Sequence, residues 1–292
     1  MAACADRGIA VALSTWFRED TTNARARISG PEVLAELWAR TLDTIAADGL
    51  LGHVLYVDLC NEYPLPLWTP FLYPGEDAEV RSRTEGEVHS WMEESLAALR
   101  ARHPELIYCF SFCNEFESYQ EQDVSCLDLL ELHLWMVQPE CSDFYERLGY
   151  GLGADRFDPV HYTRLAAGGE RLYASDPDHW RQRLAVHIHR AADWSRHANK
   201  PLVTIESWAV VNYKDWPGLD WGWVNELCEY GVDTAVDTGR WLAVSTSNFC
   251  GPQFVGMWRD LRWHQRLTSR IHGGETSLSA EADPFLRHLA KG

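Results

Sequence analysis

The feature that most constrains this chain is an alternation. Short apolar runs, each closing on polar residues, are separated by stretches with helical spacing. The first run, Gly8 to Trp16, leads through a polar loop to Pro31, a residue suited to the first turn of a helix. Val33, Leu34, Leu37, Trp38, Thr41, Leu42 and Ile45 then recur at helical intervals until Gly49. Further apolar runs are His53 to Cys60, Leu106 to Phe112, Leu129 to Trp135, Pro201 to Glu206 and Gly239 to Phe249. Helix is expected over 85–102, 178–198 and 252–272, and elaborated loops over 64–84 and 138–176. The first of these loops carries Pro64, Pro66, Pro70 and Pro74, and is long enough to be functional. Strands alternating with helices imply parallel strands joined by crossovers.

The length of 292 residues suits a barrel of eight βα units, a fold of about 250 residues. A doubly wound open sheet fits the alternation too, but no Gly-rich phosphate loop follows the first run. With 46% apolar and 24% charged residues the chain can bury a sizeable core. A net charge of −17 argues against nucleic acid or an anionic membrane as partner and suits a neutral substrate. No apolar run approaches the 18 or so residues of a membrane span and no charged-then-apolar leader opens the chain, so a cytoplasmic location is expected. The eight cysteines show no CxxC pair and read as small buried hydrophobes with reduced thiols. Neither an HExxH motif nor an HxH at a strand end accompanies the twelve histidines, so no metal and no cofactor is expected.

The chemistry-bearing residues cluster where apolar runs end: Trp16, Asn61, Glu62, Asn114, Glu115, His133 and Glu206. In a βα barrel that end of the strands builds the active site. Cleaving a glycosidic bond takes two carboxyl groups, one protonated and one ionised, and Glu62 and Glu206 each follow an apolar strand. The alternative for each is a rim carboxylate paired with a loop arginine. Fourteen tryptophans suggest flat platforms for sugar rings, although burial of a large apolar ring is the competing reading.

Val57 to Pro64, reading Val-Asp-Leu-Cys-Asn-Glu-Tyr-Pro, resembles the Asn-Glu-Pro signature after strand four of the retaining β/α-barrel glycosidases, a clan that includes cellulases and mannanases. Leu132 to Trp135 resembles the His-x-aromatic pattern ending strand six, and Leu202 to Trp208 the strand-seven segment carrying the nucleophile. Trp241 to Asn248 then corresponds to strand eight, and the nearest match is the cellulase-like, sugar-binding members of this clan. The resemblance implies Glu62 as acid/base, Glu206 as nucleophile and Asn61 as a ligand of a substrate hydroxyl. It implies that His133 holds Glu206 or contacts sugar. Trp16, Trp135, Trp208 and Trp241 are the platform candidates.

Two strands lie between Glu62 and Glu206, as strands four and seven require, so Glu62 is preferred to Glu115 as the acid. Glu115 is left as a substrate contact or a capped strand end. On this numbering Gly8 to Trp16 is strand three. The expectation is therefore a TIM-type barrel domain over 1–272, incomplete at its N-terminal side, with a polar tail over 273–292. An open barrel edge would invite oligomerisation. A barrel that binds an oligosaccharide without cleaving it is the main alternative.

Overall fold

Helix α2 (Pro31–Ala47) begins at a proline and turns Leu34, Ala35, Trp38, Ala39 and Leu42 inward, as its spacing predicts. Each fully buried leucine contributes about 1.5–3 kcal/mol relative to an exposed one. The computed structural model describes residues 1–18, 20–73, 79–138, 142–153 and 155–279. Two compact units result. The first comprises Met1–Glu131, His197–Pro201 and, from the end of the chain, Leu278 and Ser279; the second comprises Leu132–Arg196 and Leu202–Ser277.

In the first unit a short helix α1 (Ala2–Ala5) precedes β1 (Val11–Ser14), α2, β2 (Val54–Asp58), α3 (Gly86–Arg102), β3 (Tyr108–Cys109), β4 (Ser111–Phe112) and β5 (Leu130–Leu132). The strands β1, β2 and β3 are parallel neighbours, with Ser14 opposite Asp58 and Asp58 opposite Cys109. Helices α2 and α3 pack together, and the indole of Trp38 donates to the Leu59 carbonyl at 2.9 Å. Lys200 ties the His197–Pro201 segment to this unit by donating to the Leu127 carbonyl at 2.6 Å.

The second unit holds β6 (Leu134–Trp135), α4 (Asp143–Arg147), α5 (Pro159–Ser175), α6 (Pro177–Ala198), β7 (Leu202–Thr204), β8 (Ser207–Trp208), α7 (Gly222–Asp237), β9 (Trp241–Val244) and α8 (Leu261–His272). Here too the ladders are parallel, β6 with β8 and β7 with β9. No helix among the described residues is long and apolar enough to cross a membrane.

All six apolar runs contain strand, but two of them are split, and the fifth is followed after a break by a further strand, β8. Between β3 and β4 the cause is a side chain. The Ser111 amide donates to the Asp58 carboxylate at 2.8 Å, not to a backbone carbonyl, which interrupts the ladder. Between β7 and β8 the Ile205 carbonyl accepts from the Ser245 hydroxyl at 3.2 Å. Two helical expectations need correction. The span 138–176, read as loop, contains α5, whose start is marked by Pro159 and by Asp158 accepting from the Val160 amide. The span 252–272 is helical only from Leu261, where Asp260 caps the helix through the Trp263 amide. Helix α7 lies in a stretch to which the pattern assigned nothing. The tail expected over 273–292 falls, from residue 280 on, outside the described residues.

The described cysteines, Cys4, Cys60, Cys109, Cys113, Cys126, Cys228 and Cys250, are free thiols, and Cys141 lies outside the described residues. Burial pushes the Cys228 thiol up to about 12 and holds Cys60 and Cys109 well above the usual range.

Two substitutions test this packing. Asp58 is fully buried and accepts from the Ser14 hydroxyl (2.6 Å) and from the amide and hydroxyl of Ser111 (2.8 and 3.0 Å). Asp58→Ala should therefore cost roughly 3 kcal/mol in urea unfolding, because the donors to a buried carboxylate lose their partner together. In α7, Gly→Ala normally stabilises a helix, but a Cβ on Gly231 would sit 2.8 Å from Cγ of the buried Trp208. Gly231→Ala should lower the denaturation midpoint; a raised midpoint would show that the Trp208 seat is not close-packed.

Candidate active site

The first unit carries two strand-end glutamates of interest, Glu62 and Glu115, and the second carries Glu206. In the first unit, β2 ends at Asp58 and the chain turns through Asn61 and Glu62. The Asn61 amide donates to the Thr15 carbonyl at 3.1 Å, which links this turn to the end of β1. Glu62 takes a positive φ of 47°, a region that costs a non-glycine residue about 1–3 kcal/mol. A relay holds it there. The Glu62 amide donates to the Ser111 hydroxyl at 2.9 Å, and that hydroxyl donates to Asp58 at 3.0 Å. The next amide, of Tyr63, donates to the Ser111 carbonyl at 2.8 Å.

The Glu62 side chain is fixed by a residue the sequence did not single out. The indole N–H of Trp68 donates to Oε2 of Glu62 at 2.7 Å. Trp68 is buried, and its ring lies 5.1 Å, centroid to centroid, from that of Trp16, which is 52% exposed. Asn61 is buried as well, and its side-chain Nδ2 has no hydrogen-bond partner among the described residues. A buried amide left without an acceptor is costly unless a ligand or water supplies one.

The second Asn-Glu pair has the same backbone form, with φ of 58° at Glu115, so backbone conformation does not distinguish the two glutamates. Their partners do. Arg83, with a side chain only 1% exposed, donates to Gln122 Oε1 (2.7 Å), to Asn114 Oδ1 (2.7 Å) and to the Tyr63 carbonyl (3.2 Å), and lies 3.5 Å from Oε2 of Glu115. Its guanidinium also stands 4.2 Å from the centre of the Phe112 ring. Burial lowers the Arg83 pKa to about 10, which leaves it charged at neutral pH, and the Glu115 carboxylate offsets part of that effect. The Glu115 carboxylate is thus engaged by a buried cation from the 64–84 loop, the kind of contact a capped strand end makes.

In the second unit Glu206 sits between β7 and β8, and its carbonyl accepts from the Leu134 amide at 3.2 Å. Its Oε2 lies 3.8 Å from Nδ1 of the fully buried His133, an ion-pair distance and too long for a hydrogen bond. Gln138 donates to the His133 carbonyl at 2.9 Å, closing the break between β5 and β6. The structure thus brings His133 and Glu206 together, as it does Trp16, Trp68 and Glu62.

The four platform candidates differ in exposure. Trp208 is fully buried and donates to the Ser245 carbonyl at 3.1 Å, and Trp241 is buried and donates to the Thr204 hydroxyl at 2.9 Å. Trp135 is buried edge-on to Phe249, with an indole N–H lacking a partner among the described residues. All three rings are buried; apolar burial outcompetes exposure for rings at the ends of buried strands. Among the four candidates only Trp16 is exposed. Sequence signals for the missed residues are slight. Trp68 follows Glu62 by six positions in a proline-rich loop with no fixed period, whereas Asp58 and Ser111 show as polar residues inside apolar runs.

Comparison with known proteins follows the same line. The model of a family described as sugar-binding cellulase-like matches residues 1–272. A crystal structure from Parabacteroides distasonis ATCC 8503, described as a "putative glycoside hydrolase", superposes with a TM-score of 0.91 at 41% sequence identity. The match covers 99% of this chain and 76% of that one. No functionally curated protein matches. The likeness gives the fold class, α/β with parallel strands of the TIM-barrel type.

The burial pattern has a direct test. Trp16→Ala should cost only about 0.5–1.5 kcal/mol, the worth of its ring contact with Trp68, whereas Trp208→Ala should cost about 3–5 kcal/mol in equilibrium unfolding.

Proposed function

Because the chain belongs to the cellulase-like family of sugar-binding proteins, we propose that it hydrolyses β-glycosidic bonds with retention of configuration, using Glu62 as acid/base and Glu206 as nucleophile. The observation that carries this reading is the hydrogen bond that Glu62 accepts from Trp68 beside the exposed ring of Trp16. Glu115, by comparison, is engaged by the buried Arg83. A carboxyl group held by a neutral donor can gain and lose a proton in the course of a reaction.

In the first step a carboxylate oxygen of Glu206 attacks the anomeric carbon as the bond to the leaving oxygen breaks, and Glu62 gives that oxygen its proton. A glycosyl ester on Glu206 results. In the second step Glu62, now ionised, takes a proton from water as the water oxygen attacks the anomeric carbon and releases Glu206. His133 orients the nucleophile. The spare amide of Asn61 serves a sugar hydroxyl, a contact that can tighten in the transition state. Trp16 supplies the ring on which an apolar sugar face rests.

Proton NMR of the first-formed product of an aryl β-glycoside should show the β-anomer, and a 2-deoxy-2-fluoro glycoside should label the peptide containing Glu206. Loss of Glu206 should abolish turnover, and Glu62→Ala should lower kcat about 10²- to 10⁴-fold for a poor leaving group. First formation of the α-anomer would replace retention by inversion. Sugar affinity with no hydrolysis in the unaltered protein would favour the second reading, a binding protein, for which the family's description as sugar-binding speaks.

A further inference from the structure

We propose that Trp68 is a positioning residue for Glu62, turning Oε2 toward its own indole and thereby making Oε1 the oxygen that carries the transferable proton. The inference rests on the acid/base reading of Glu62. Both partners are fixed before they meet. The Glu62 backbone is held by Ser111, and the chain then folds back on itself: the Leu65 amide donates to the Glu62 carbonyl (2.9 Å), and the amides of Trp68 and Thr69 donate to the Leu65 carbonyl (3.0 and 2.9 Å). The Thr69 hydroxyl donates to the same carbonyl at 2.8 Å, and the Cys60 thiol lies 3.7 Å from the Trp68 carbonyl. The indole therefore arrives at Oε2 with little freedom left to lose.

An indole N–H can only donate, so Oε2 must offer it a lone pair. The separation of 2.7 Å is that of a charge-assisted bond. In a protonated carboxyl group the carbonyl oxygen is a better acceptor than the hydroxyl oxygen. The proton accordingly resides on Oε1 in the acid form. Oε1 delivers it to the leaving oxygen and recovers it from water in the second step, so that one oxygen serves both directions. The opposite side of the device is Trp16, whose ring lies against that of Trp68; the ring that would carry sugar and the group that aims the acid are one packed pair.

Trp68→Phe keeps an apolar ring and removes the donor. For a β-glycoside with a poor leaving group, kcat should fall on the order of 10- to 100-fold with KM nearly unchanged, the loss expected when a catalytic group is misplaced. A dinitrophenyl glycoside, whose leaving group departs without a proton, should form the glycosyl-enzyme at the rate of the unaltered protein. A uniform loss across leaving groups, or a loss in KM alone, would show that Trp68 only supports the fold and would overturn the proposal. A second measurement does not depend on turnover. In protein labelled with ¹⁵N-tryptophan, the indole resonance that disappears in Trp68→Phe should lie downfield and move upfield in Glu62→Ala; an unmoved resonance would also overturn it. Trp68→Leu, which also lacks a donor, serves for the same comparisons should the phenylalanine variant not fold. Complete inactivity of the unaltered protein toward glycosides would instead remove the catalytic reading itself.

Discussion

The first unit depends on a charge placed where charges are costly. Asp58 ends a strand whose other residues are apolar, and it has no exposed surface. An ionised carboxylate in such a place needs several donors, and it has them from three segments: the hydroxyl of Ser14 at the end of β1, the amide of Cys60 (3.3 Å), and both donors of Ser111 in β4. Each bond to a charged acceptor contributes roughly 1.5–3 kcal/mol, enough to offset the desolvation of the group. The consequence reaches beyond stability. By drawing the Ser111 amide away from the ladder, Asp58 splits one apolar run into β3 and β4, and by orienting the Ser111 hydroxyl it supplies an acceptor for the Glu62 amide.

That acceptor matters because Glu62 occupies a left-handed backbone conformation. A turn of this kind reverses the chain at once, which lets the proline-rich segment bring Trp68 back to the glutamate it follows. Position, backbone and carboxylate orientation of Glu62 thus descend from one buried acid through two short hydrogen-bonded links. The second Asn-Glu pair shows how the same dipeptide takes a different role. Asn114 and Glu115 meet a guanidinium that is itself excluded from water, and such a cation needs its carboxylate: removing one partner of a buried pair leaves the other uncompensated.

The abundance of tryptophan has mostly the plainer explanation. Trp38, Trp208 and Trp241 are buried and each satisfies its indole N–H on a nearby oxygen. Burying an aromatic ring contributes more than leaving it at the rim, so a ring at a strand end is drawn inward wherever neighbours leave room, as Gly231 does for Trp208. Trp16 stays exposed because it lies in the loop beyond β1, with Trp68 already covering part of its ring.

The alternation of six apolar runs with helical stretches was enough to establish parallel strands, and the long periodic helices α2 and α3 were legible because amphipathic spacing is a local property. The Asn-Glu segment and the Glu206 segment were legible for the same reason, being contiguous in the chain. Helix α5 escaped because glycines and tyrosines obscure its apolar stripe, and only Asp158 and Pro159 mark its start. What the sequence could not decide is which partner each polar group finds. Glu62 and Glu115 differ through Trp68 and Arg83, residues brought to them by non-periodic loops; Trp16 and Trp208 differ through what packs over them. Such pairings follow from the path of the chain in space. Short-range spacing therefore specifies the elements and marks the reactive side chains, while tertiary structure alone determines which carboxylate meets Arg83 and which accepts from Trp68.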